Sequence, residues 1–227
     1  LKLLKDSATR FLVRRTDLIF MSNSFMKQRL VEMGIPEEKI IMIPFGVNWA
    51  RSLKIKKEGI KRKKKIILTV GRLIERKGHN TVIEALPIIL RRFPDIMYQI
   101  VGKGPMEKRL KKLVKEKDLC KYVEFCGEVE NVALYYQNCD VFVMPSRFIE
   151  QKGDVEGFGL VFLEANFFGK PVVAGRSGGV SDAVIDGVTG LLVDTEDSEA
   201  IADAIIKLLE NPELAQKLGE QGRKRVL

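Results

Sequence analysis

The chain has 227 residues, 45% of them hydrophobic and 30% charged, with a formal net charge of +9. That length holds one large domain or one domain plus a fragment, and the composition suits a globular protein with a real core. No apolar run approaches the ~18–20 residues that crossing a bilayer takes, and no signal-peptide pattern opens the chain. Leu1 is not a start methionine, and Asp6, Arg10, Arg14 and Arg15 come soon after it; the expectation is a cytoplasmic protein cut from something longer.

In chain order, Asp17–Met21 reads as a buried strand, and Ser24 as the cap of a helix ending near Gly34. Residues 39–44 form a second short strand, stopped by Pro44 and Gly46. A basic run then extends from Lys54 to Lys65. It contains no aromatic residue and hence no stacking platform for single-stranded nucleic acid. Two readings of it stand, a solvated linker and a surface drawn to acidic lipid. A change of composition at Lys65 marks a new unit. From there strands at 66–70, 96–101, 122–126, 141–144 and 171–174 alternate with helices at 79–92, 105–119, 132–138 and 160–168. In the 105–119 helix Met106, Leu110, Leu113 and Val114 fall on one face and the lysines on the other. Two further helices, 199–210 and 212–226, finish the chain. Short, continuously apolar strands alternating with helices predict an α/β domain with a doubly wound parallel sheet covered on both faces. The three cysteines, Cys120, Cys126 and Cys139, are odd in number and lack metal or redox spacing, so they read as buried free thiols.

Ligands of such sheets bind beyond the carboxyl ends of the strands. Those ends run here into Gly71-Arg72 and Arg76-Lys77-Gly78, into Gly102-Lys103-Gly104-Pro105, into Pro145-Ser146-Arg147 and a long loop to Glu156-Gly157-Phe158-Gly159, and into Gly175-Arg176-Ser177-Gly178-Gly179. Glycine loops that open helices on one sheet edge make an anion site. Arg72 and Lys77 just after the first strand suit a diphosphate whose negative charge rises as it leaves. Glu164 lies in a helix that is apolar nearly all round, so its carboxylate needs a partner: sugar hydroxyls, an internal Arg or backbone N–H groups. Two glutamates also suggest a glycosidase acid/base pair, but Glu164 is committed to a helix interior beneath a phosphate-binding loop. Gly102-x-Gly104-x-x-Glu107 lacks the third glycine of a dinucleotide fingerprint. The one histidine, His79, reads as a helix-start or packing residue, and no serine or cysteine nucleophile has a plausible base.

The stretches Gly71-Arg72-Leu73-Ile74-Glu75-Arg76-Lys77-Gly78, Val101-Gly102-Lys103-Gly104-Pro105, Glu156-Gly157-Phe158-Gly159-Leu160-Val161-Phe162-Leu163-Glu164-Ala165 and Ser177-Gly178-Gly179-Val180 together resemble the family 4 retaining glycosyltransferases of the GT-B fold. The two glutamates with seven residues between them are the most specific mark. The resemblance implies a nucleotide-sugar-binding domain at 66–227, a basic linker at 53–65, and a remnant of the acceptor-binding N-terminal domain at 1–52, most of that domain and a C-terminal crossing helix being missing. It makes Arg72 and Lys77 the diphosphate clamp, gives the donor sugar to Glu156 with backbone of Gly157, Phe158 and Gly159, and gives the ribose hydroxyls to Glu164. Val129 lines the base pocket, and Gly71, Gly102 and Leu160 complete the donor-binding set. Gly153-Asp154-Val155-Glu156-Gly157-Phe158-Gly159 is similar to phosphatidylinositol mannosyltransferases, which points to GDP-mannose as donor. Where the family often has Pro-Glu, this chain has Ser181-Asp182, a shorter acid expected to weaken a local contact.

The resemblance further implies retaining transfer of a hexose to an acceptor hydroxyl, lipid-linked or saccharide, by a front-face route in which the leaving phosphate oxygen takes the acceptor proton. Neither cofactor nor metal is expected, since no Asp-x-Asp motif is present. The fragment alone is expected to bind donor and transfer little. A nucleotide-sugar epimerase of the same architecture and a basic, non-enzymatic membrane or nucleic-acid module are the competing readings.

Overall fold

In the computed structural model, residues 7–43, 45–47 and 64–227 are described; most of the basic run and Pro44 lie outside them. The main unit is a six-stranded parallel sheet. Its strands are β3 (Lys65–Val70), β4 (Ile96–Val101), β5 (Val123–Gly127), β6 (Val141–Met144), β7 (Val172–Gly175) and β8 (Leu191–Val193), in the order β5-β4-β3-β6-β7-β8. The chain winds outward from β3 to β5, then returns to the other side of β3 to lay down β6. That reversal opens a crevice between the ends of β3 and β6.

Side chains alternate along each strand and feed two cores. Ile67, Tyr98, Ile100, Val141, Val143 and Val173 face α3 (His79–Arg92), α4 (Glu107–Glu116) and α8 (Ser198–Glu210). Leu68, Phe142, Met144, Val172 and Ala174 face α5 (Val132–Asn138) and α6 (Leu160–Phe167). This period of two, with both faces buried, is what a covered parallel sheet requires. The last helix, α9 (Pro212–Val226), packs on α6, where Gly222 comes so close to Asn166 that a β-carbon would collide with its amide.

A smaller unit precedes it: α1 (Ser7–Arg15), β1 (Ile19–Met21), α2 (Ser24–Glu32) and β2 (Ile40–Met42), with β1 and β2 parallel and Ile19 opposite Ile40. Leu30, Ile35 and Ile40 form its small core. Two expectations change here. The first strand is not buried: Phe20 is 58% exposed, and Ile19 and Met21 on the other face are half-buried. Asn23, not Ser24, caps α2, its Oδ1 accepting from Met26 N at 2.7 Å. Asp182, the shorter acid, makes a contact of its own: its Oδ2 accepts from both Ser24 N (2.8 Å) and Ser24 Oγ (2.9 Å), tying α2 to the main unit. That acid sits on α7 (Val180–Ala183), which, like β8, is too short to be read as an element in the sequence. Of the cysteines, all free, only Cys139 is buried; Cys126 is intermediate and Cys120 exposed, since the latter falls in the turn between α4 and β5. Among the described residues, no helix is long and apolar enough to cross a membrane.

Candidate functional site

The crevice between β3 and β6 gathers most of the residues singled out in the sequence. After β3 the chain makes a single 3-10 turn, Glu75–Lys77, that ends on Gly78 with φ +71. A side chain at Gly78 would run into Pro145 at the end of β6, so glycine is what lets the two loops close on each other. The turn carries Arg76 and Lys77 inward, both buried. From the β6 side comes Glu156, 7% exposed. Its Oε2 accepts from Lys77 Nζ at 2.5 Å, Arg76 Nη1 at 2.6 Å and Ser146 Oγ at 3.0 Å. Arg76 also donates from Nε to Asp154 Oδ1 at 2.8 Å.

The electrostatics of this cluster come from its count of charges. Burial alone pushes the Glu156 carboxyl up, but the charges of Lys77 and Arg76 and the Ser146 hydroxyl outweigh it and hold it below the ordinary glutamate range. Lys77 is also lowered, by burial first, with Arg76 and Arg72 opposing its charge while Glu156 favours it. The two shifts have different causes, burial for Lys77 and the neighbouring cations for Glu156; with Arg72, Arg76 and Lys77 against Glu156 and Asp154, the cluster carries a net positive charge, which favours an anion. Arg72 completes that field from an exposed position at the mouth. Behind it, His79 opens α3, fully buried, with Nε2 3.2 Å from the carbonyl of Arg72. Burial pushes its pKa down to about 4, with Lys77 adding to the effect, so the ring is neutral at pH 7 and packs rather than titrates.

The glycine positions hold the neighbouring loops at close approach. Gly71 N donates to Val101 O, Gly102 N donates to Gly127 O, and a β-carbon on Gly102 would collide with the carbonyl of Gly71. The Gly157 carbonyl abuts Gly179 as closely, so the loops after β6 and β7 touch backbone to backbone. Phe158 is buried with its ring edge-on to Phe45, 5.5 Å between centroids. Gly159, at φ +84, opens α6, whose N-terminal N–H groups face the crevice end of the sheet. Leu160 is 41% exposed and Val129 is partly buried against the core under α5.

Glu164 sits apart from the cation cluster. Its partner is neither an arginine nor backbone: Tyr136 Oη donates to its Oε2 at 2.6 Å. The tyrosine is buried, its ring stacked on Phe168 at 10°. Burial raises the Glu164 carboxyl, and the tyrosine hydroxyl only partly counters it. Sequence reasoning missed four members of the site: Arg76, Ser146, Asp154 and Tyr136. Arg76 looks like one more surface cation beside Lys77, and Tyr136 like core; the pairing of loops across the crevice gives Arg76 its carboxylate, and the approach of α5 to α6 gives Tyr136 its own.

The crevice lies at the switch point of a doubly wound sheet, where such folds bind their ligands, with a second carboxylate further along the helix that opens there. The family model of glycosyl transferases group 1 matches residues 50–225, and the chain belongs to that family. It is 34% identical, over 96% of its length, to the GDP-mannose-dependent alpha-(1-6)-phosphatidylinositol monomannoside mannosyltransferase of Mycolicibacterium smegmatis, covering 59% of that protein. The Mycobacterium tuberculosis enzyme of the same name is also 34% identical over 93% of the chain, with 57% of that protein covered. Among solved structures, a Rickettsia africae glycosyltransferase superposes with a TM-score of 0.84 at 24% identity, over 97% of this chain and 62% of that one. Anabaena HepE, solved with UDP, gives 0.83 at 21% identity, over 100% of this chain and 63% of that one. The chain therefore spans about three-fifths of the length of the relatives it matches.

Proposed function

We propose that the chain supplies the donor-binding half of a retaining glycosyltransferase that moves mannose from GDP-mannose to an acceptor hydroxyl, lipid-linked or saccharide. The observation that carries this reading is Glu156, a buried carboxylate fixed by Arg76, Lys77 and Ser146 at the β3–β6 crevice. It offers an acceptor for sugar hydroxyls next to cations suited to a diphosphate. Glu164, deeper and held by Tyr136, takes the ribose hydroxyls. The names of the relatives support the choice of donor.

In the transfer, the anomeric carbon–phosphate oxygen bond breaks and the acceptor oxygen bonds the same face of that carbon. The acceptor proton passes to the departing phosphate oxygen. Arg72, Lys77 and the N-terminal end of α6 stabilise the charge that builds on the diphosphate, so no protein nucleophile, metal or other cofactor is invoked. The reaction is placed on the cytoplasmic side, with the basic run 54–65 touching an anionic membrane peripherally. The family match does not favour an epimerase or a non-enzymatic basic module.

Calorimetric titration of the protein with GDP, UDP and ADP, without added metal, tests this directly. Saturable GDP binding that disappears in Glu164→Ala is expected. Preference for UDP would replace the donor, and indifference to all three in the full-length protein would sink the reading.

A further inference from the structure

Arg76 is the one side chain, among the described residues, that joins the loop after β3 to two separate acids of the loop after β6. Its guanidinium is 9% exposed and points Nε at Asp154 and Nη1 at Glu156. Its own carbonyl accepts from Arg147 N at 2.8 Å, so backbone and side chain of one residue both span the crevice. The loop it grips runs from Arg147 to Gly159, long for a connection in a compact domain and folded back on itself by a bridge between Ile149 and Asp154. Glu156 sits near the end of that loop, and its bonds are lopsided. Arg76, Lys77 and Ser146 all converge on Oε2, and none of the three goes to Oε1. A carboxylate with one oxygen held by three donors is anchored at that oxygen and leaves the other for a ligand.

Lys77 alone would neutralise Glu156, but a point charge on a flexible stem does not fix where the carboxylate sits; a planar guanidinium anchored through Nε on Asp154 delivers Nη1 to Oε2 from one direction. We propose that Arg76 is a positioning residue for sugar recognition: by bridging Asp154 and Glu156 it aims the free oxygen of Glu156 at the donor sugar, while contributing little to holding the nucleoside diphosphate. This rests on Glu156 being the sugar acceptor.

The two ideas are separated by measuring, in the full-length protein, affinity for GDP and for GDP-mannose, their ratio being the gain from the sugar. Glu156→Gln removes that gain if Glu156 holds the sugar; an unchanged gain overturns the reading of Glu156 itself. Arg76→Lys keeps the charge and loses the fork. The gain is expected to fall by about tenfold or more while GDP affinity moves by less than about threefold. Parallel loss of both affinities would mean a merely structural role, and an unchanged gain alongside a damaged Glu156→Gln variant would overturn the role of Arg76. Should Arg76→Lys fail to fold, Asp154→Asn removes the outer anchor at a more exposed position. It is expected to reduce the gain in the same direction by a smaller factor, with Asp154→Glu recovering part of it. No reduction in Asp154→Asn would overturn the proposal.

Discussion

Glu156 and Glu164 stand eight positions apart on one loop and the helix it opens, yet they live in opposite electrostatic surroundings. Glu156 faces three donors, two of them cations, and stays below the ordinary carboxylate range. Glu164 faces a single neutral hydroxyl, and burial lifts it above that range. The spacing puts them at different depths: one at the charged crevice between β3 and β6, the other inside a helix against aromatic side chains. One repeated residue type thus yields one carboxylate whose surroundings favour the ionised form and one whose surroundings favour the neutral form.

The most disruptive way to test the contrast is to remove each carboxylate. Glu156→Gln leaves Lys77 buried without its counter-charge and Arg76 with Asp154 alone, and is expected to cost about 3–5 kcal/mol in denaturant unfolding. Because the folded-state pKa of Glu156 is lowered, its contribution to stability is present above the unfolded pKa. It is lost as pH falls through the folded value, and the variant should be insensitive to pH in that window. Next in size, Gly102→Ala forces a β-carbon at φ +129 into the Gly71 carbonyl. Strain of about 1–3 kcal/mol is expected, with nucleotide affinity falling as the loop shifts; full affinity in calorimetry would separate the loop from the site.

Tyr136→Phe keeps the ring and its stacking but strips Glu164 of its partner, at about 1–2 kcal/mol. The pKa of Glu164 is already raised, so its contribution to stability is present below the unfolded pKa and lost as pH rises through the folded value. Without the hydroxyl that folded value rises further. On the proposed reading, in which ionised Glu164 accepts the ribose hydroxyls, nucleotide binding should then fail at a higher pH on acidification. Titrations from about pH 8 to about pH 5 that superpose for the two proteins would break the contrast. The smallest effect belongs to the clasp outside the site. Asp182→Ala frees the first turn of α2 and should cost about 1 kcal/mol, seen as faster hydrogen exchange there with nucleotide affinity intact.

Much of this architecture was legible in the residues. The apolar runs of β3, β4 and β6, the helices 79–92, 132–138 and 212–226, and the edge on which the glycine loops converge come from local pattern, because periodicity and turn chemistry are local properties. So was the need of Glu164 for a partner, since a carboxylate in an apolar helix demands one. What the sequence could not supply was who meets whom. Arg76 finds Glu156 across 80 positions, Tyr136 finds Glu164 across 28, and Asp182 clasps the start of a helix 158 positions earlier. Those pairings depend on β6 returning to the far side of β3, a choice made by the packing of both sheet faces at once. The sequence by itself determined most of the elements, α7 and β8 excepted, and the chemistry available at their ends; only the tertiary structure decided that one glutamate would be gripped by cations and the other by a tyrosine, because long-range partners are set by how the layers close and not by any spacing along the chain.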